Sequence, residues 1–98
     1  MSELPTELAL TRARLLNLLR HALGYGHPRA QPGWRNYFCA EVGSEADLDW
    51  QVLSANGYAH EGATINQGAD RYYHATERGK QVAATGEFPE PGIEVRNG

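Results

Sequence analysis

Between Thr6 and Leu23 the apolar side chains Leu8, Leu15, Leu16, Leu19, Ala22 and Leu23 recur at i, i+3, i+4 and i+7, with Arg12 and Arg20 off the stripe. That period predicts an amphipathic helix, started by Pro5-Thr6 and stopped at Gly24. Gly24 to Gly33, with Pro28 and Pro32, then reads as a loop. Trp34 to Val42 fits a short buried helix or a short strand, since both place Tyr37, Phe38 and Cys39 near a core; helix is the preferred reading. Ser44 followed by Asp47 three residues on resembles a capping arrangement. It opens a second helix, Glu45 to Asn56, with Leu48, Val52 and Ala55 as its stripe, Leu53 beside them and Asn56-Gly57 as its stop.

Beyond Gly57 the period shortens. Tyr58-Ala59-His60 and Arg71-Tyr72-Tyr73-His74-Ala75 read as the strands of a hairpin, with the turn formers Ile65 to Asp70 between them and His60 facing His74 across it. Thr76 caps a last short helix from Glu77 to Ala83, and Gly86, Pro89, Pro91 and Gly92 break any regular pattern toward the C-terminus. The expected architecture is α+β: a helical core with a C-terminal two-stranded hairpin and a short final helix. A single domain spans residues 1–86, with a flexible tail at 87–98.

From Leu48 to Ala83 the sequence resembles the later part of bacterial winged-helix domains. There a helix ending in L-x-x-x-G-Y leads into the wing, and the second wing strand runs into Y-x-x-T-x-x-G. The matching residues are Leu53, Gly57 and Tyr58, then Tyr73, Thr76 and Gly79. The resemblance implies that Gly57 ends the helix with a positive φ, that Tyr58 and Tyr73 anchor the hairpin, and that Gly79 permits close packing. Over Leu15 to Ala83, "RNYFCAEVGS", the Trp50, Leu53, Gly57 spacing and "YYHATERGK" are similar to a group of short bacteriophage and prophage proteins. That similarity implies a phage source and a role in gene regulation or in disabling a host system.

Charge alters this picture. Ninety-eight residues carry a net charge of −3, whereas a dedicated DNA-binding domain of this size carries a basic excess. The helix Glu45 to Asn56 occupies the place of a recognition helix, yet it offers Glu45, Asp47, Asp49, Gln51, Ser54 and Asn56 and no basic residue. Carboxylates in a major groove are opposed by the phosphates. The expectation is therefore a non-catalytic adaptor or inhibitor that binds a host or phage protein through Glu45, Asp47, Asp49 and a partly exposed Trp50, aromatic side chains often supplying interface anchors. The alternative is a DNA-binding transcriptional regulator acting as a homodimer, its phosphate contacts made by Arg29, Arg35, Arg71 and Lys80.

Catalysis is not expected. Cys39, Ser44 and Ser54 lie in no nucleophile elbow or glycine-rich anion cradle, and Cys39 reads as a core residue beside Phe38. His21, His27, His60, His74 and Cys39 match no recurrent zinc spacing, so neither metal nor cofactor is expected. A lone cysteine agrees with a reducing compartment. With no apolar run of the ~18–20 residues needed to cross a bilayer and no secretory signal at Met1 to Pro5, the expected location is the cytoplasm of a bacterial host.

Overall fold

The computed structural model describes residues 6–26, 28 and 35–89, with side chains from Thr11 onward. The elements are α1 (Thr6–Ala22), β1 (Phe38–Glu41), α2 (Glu45–Ala55), β2 (Ala59–Ile65), β3 (Asp70–Ala75) and α3 (Glu77–Thr85). The fold is α+β, and its strands form one antiparallel sheet in the order β1-β3-β2.

The sheet has three strands rather than two, because the ambiguous segment Trp34 to Val42 contributes β1 and no helix among its described residues. The end of α1 explains its placement. The last carbonyls of a helix lack internal partners; here the Ala22 carbonyl accepts from the Tyr37 amide at 3.1 Å, and the His21 carbonyl from the Arg35 guanidinium at 2.7 Å. Asn36 completes the docking: Ala75 N donates to its Oδ1 at 2.7 Å, and its Nδ2 donates to the Ala75 carbonyl at 2.9 Å. With β1 held against β3, pleating turns Phe38 and Ala40 inward and Cys39 outward. Cys39 is accordingly exposed, not a core residue.

One core joins Leu15, Leu19, Ala22 and Leu23 of α1 and its end to Trp50 and Leu53, Tyr73 and Ala75, and Val82 and Ala83. The stripe read for α1 is therefore the one buried over its described side chains, with Leu16 partly buried. In α2 the helix is where the pattern placed it, capped by Ser44 accepting from Asp47 N at 3.2 Å. Its phase differs. Trp50 is fully buried and stacks on Tyr73 with ring centroids 5.5 Å apart, while Leu48, expected inside, is 55% exposed. A large aromatic opposite the central strand outweighs a smaller aliphatic side chain in setting which face packs.

The hairpin register pairs His60 with His74, as the alternation implied, and the tip passes through Asn66, Gln67 and Gly68 at positive φ. Thr76 caps α3, accepting from Gly79 N. Packing continues past residue 86: Phe88 is buried, edge-on to Tyr58 at 5.2 Å, so the segment through Pro89 is not a free tail. The rest of the expected tail, 90–98, lies outside the described residues.

Gly79 sits where α3 crosses the chain between α2 and β2, and a Cβ there would overlap the Tyr58 carbonyl oxygen, a backbone atom with nowhere to go. Gly79→Ala is expected to cost about 1–3 kcal/mol, the range of an overpacked core. Urea unfolding checks this as a drop in midpoint at unchanged slope.

Candidate functional site

The acidic residues of α2 point inward. Asp47 is 1% exposed and Asp49 8%. The Asp47 carboxylate accepts from the Tyr73 hydroxyl at 2.6 Å, the Gly43 amide at 3.0 Å and Gln51 Nε2 at 3.2 Å, with Arg71 Nη1 3.8 Å away. Asp49 receives two parallel bonds from Arg14 of α1, at 2.7 and 3.1 Å. A buried carboxylate persists only when paired and hydrogen-bonded, and both are. Trp50, directly after Asp49 in the sequence, is sealed under the sheet. Of the four residues expected to meet a protein, only Glu45, with its side chain 80% exposed, is on the surface. Asp47, Asp49 and Trp50 bind the protein to itself.

Burial pushes the Asp47 carboxyl up, but the bonds from Gly43 and Tyr73, the Arg71 charge and the Gln51 bond together outweigh it and hold the group below its ordinary range. The Tyr73 phenol is pushed up, first by burial and then by its bond to Asp47.

The expected phosphate-binding set does not assemble among the described residues. Arg35 caps the end of α1 and lies over the Tyr37 ring, its guanidinium carbon 5.8 Å from the centroid. Arg71 faces Asp47 and Glu61, each at 3.8 Å, and donates to the Tyr73 hydroxyl at 3.4 Å. Lys80 pairs with Glu77 at 3.2 Å on α3. Arg71 and the start of α3 are separated by the run of β3, about 15 Å at the strand rise. Arg29 lies outside the described residues.

The surface that remains is the outer face of the sheet. Alternation places Tyr37, Cys39 and Glu41 there from β1 and the residue before it, Asp70, Tyr72 and His74 from β3, and His60 and Gly62 from β2. Among the described residues the helices cover only the opposite face. Tyr37 is 50% exposed and meets Tyr72 edge-on, with centroids 6.2 Å apart. His60 and His74 lie beside each other at 5.1 Å. Among the described residues no strand pairs with the free edge of β1. Two shallow clefts, about 440 and 610 Å³, flank the Gly86–Pro89 segment away from this face. Sequence reasoning missed the outer face because it depends on β1; the alternation Tyr37, Cys39, Glu41 was the available signal.

Asp47→Asn tests the internal role. Replacing the carboxylate weakens its bonds and is expected to cost about 1–3 kcal/mol at neutral pH. The native carboxyl ionises below its unfolded value, so its contribution is full above about pH 4 and is lost as pH falls through the lowered native value. The stability gap between wild type and variant should narrow in acid, as urea unfolding at about pH 7 and about pH 3 will show. Compared with protein families, curated proteins and solved structures, the chain matches none.

Proposed function

We propose that this chain is a non-catalytic binding module, a phage-type adaptor or inhibitor with a winged-helix-like fold, that docks a protein partner on the outer face of its sheet. The observation that carries the reading is Tyr37, half exposed beside Tyr72 on a face that no helix among the described residues covers. Amphipathic aromatic side chains supply large contact area at low entropic cost, and tyrosine is enriched among the residues that dominate binding energy. The adjacent β1 edge offers backbone donors and acceptors for strand addition by the partner.

The winged-helix-like reading rests on the element order, the sheet order β1-β3-β2 and the Tyr73, Thr76, Gly79 arrangement. A single helix, α2, stands between β1 and β2, and the Arg14–Asp49 pair ties it to α1. The exposed positions of α2 are Glu45, Leu48, Gln51 and Ala55, which give phosphates nothing to hold. Protein binding is therefore favoured over DNA binding. The phage assignment is supported by the sequence resemblance, and the bacterial cytoplasm is the location it implies. No helix among the described residues is long and apolar enough to cross a membrane.

The test uses the full chain as bait in a bacterial lysate, with and without nuclease, alongside Tyr37→Asp and Glu45→Lys. The expected result is a stoichiometric protein retained after nuclease, lost with Tyr37→Asp and kept with Glu45→Lys. Loss with Glu45→Lys alone would return the contact to α2. Recovery only of nucleic acid, released at about 0.5 M salt where phosphate contacts are screened, would overturn the reading in favour of DNA binding.

A further inference from the structure

Two imidazoles meet on the outer face in a way that the packing of the domain does not require. His60 and His74 are register partners on neighbouring strands, their ring centroids 5.1 Å apart and their planes tilted by 31°. His60 is exposed, and His74 is partly exposed. Neither belongs to the buried core cluster.

The group that orients the His74 ring is already in place. Its Nδ1 lies 2.8 Å from the Asn36 carbonyl oxygen. A carbonyl only accepts, so Nδ1 carries the proton and the Nε2 lone pair is left for a ligand. Histidines that bind metals commonly donate their other ring N–H to a backbone carbonyl or carboxylate, which fixes tautomer and orientation. Asn36 is itself clamped to both backbone groups of Ala75, so the acceptor is rigid. Nε2 projects over Gly62, where even a Cβ would stand 2.8 Å away; glycine keeps that nitrogen uncrowded.

Spacing agrees with a shared ligand. Two imidazoles on one tetrahedral ion, each bound at about 2.0–2.1 Å, hold their ring centres about 5 Å apart. We propose that His60 and His74 form a two-imidazole site for a transition-metal dication of the zinc, nickel or copper class. Imidazole suits these ions, while oxygen donors would be needed for magnesium or calcium. Among the described residues no group of three metal-binding side chains occurs. The remaining coordination positions are therefore filled by water or by a donor from a docked molecule, as at an open metal site rather than a structural one. The spacing of histidines along the chain had pointed to no metal; a cross-strand pair has no fixed spacing, so no motif announces it.

The site is tested by titrating Zn²⁺ and Ni²⁺ into the full-length protein in a Cys39→Ser background, which removes the exposed thiol as a competing ligand. Calorimetry gives stoichiometry and affinity, and imidazole NMR signals report which rings respond. One equivalent is expected to bind, shifting the His60 and His74 signals. His60→Ala, at an exposed position, should keep the wild-type circular-dichroism spectrum and weaken binding roughly tenfold or more, the scale of losing a metal-site group. His21→Gln, which removes a ring packed on Phe38, should leave it unchanged. Affinity unaltered by His60→Ala, or no binding with metal in large excess, overturns the proposal. Neither outcome touches the Tyr37 reading, which concerns a protein partner and is measured without added metal.

Discussion

The bond from the Tyr73 hydroxyl to the Asp47 carboxylate, 2.6 Å long and closed to water, fixes α2 against the central strand. A carboxylate at that depth is tolerable only with its lone pairs occupied. The Gly43 amide and Gln51 take further positions, and Arg71 supplies countercharge from the same strand as Tyr73. The phenol ring that donates the bond also stacks flat on Trp50, with planes 13° apart. One residue of β3 therefore sets both the polar and the apolar contacts of α2. Removing either half leaves the other without its geometric reference.

That arrangement determines what the negative charge of the domain does. Asp47 and Asp49 are internal counterions, one for the sheet through Arg71 and one for α1 through Arg14. The Arg14–Asp49 pair is half open to water on the arginine side, so its worth is nearer the small contribution of surface pairs than that of the Asp47 cluster. Its geometry, two parallel bonds from one guanidinium, nevertheless orients α1 relative to α2. The helix that looked acidic along the chain presents to solvent a single carboxylate, two aliphatic side chains and an amide.

Much of the fold was legible because its signals are local. The α1 stripe, the Ser44 and Thr76 caps, the positive φ of Gly24 and Gly57, and the facing of His60 and His74 each depend on residues a few positions apart or on strict alternation. What was not legible depends on distant partners. The segment around Phe38 is a strand because the end of α1 and Ala75 supply its hydrogen bonds, from 14 to 39 residues away. The phase of α2 is set by Tyr73 and Arg14, 26 and 35 residues from the side chains they hold. A pattern of apolar positions weighs Leu48 and Trp50 alike, and nothing local says which one meets an aromatic ring.

The misplaced strand and the misplaced carboxylates have the same physical origin, and together they relocate the functional surface. Once β1 joins the sheet, its outward positions extend the face already formed by Tyr72, His74 and His60, adding Tyr37 and Cys39 to it. Once Asp47 and Asp49 are satisfied from within, α2 loses its claim to be the contact surface. A domain of this size has few faces, and its helices are spent covering one side of a three-stranded sheet. Among the described residues the opposite side is left to carry exposed and half-exposed tyrosine and histidine rings, a composition suited to meeting another molecule rather than to filling a core.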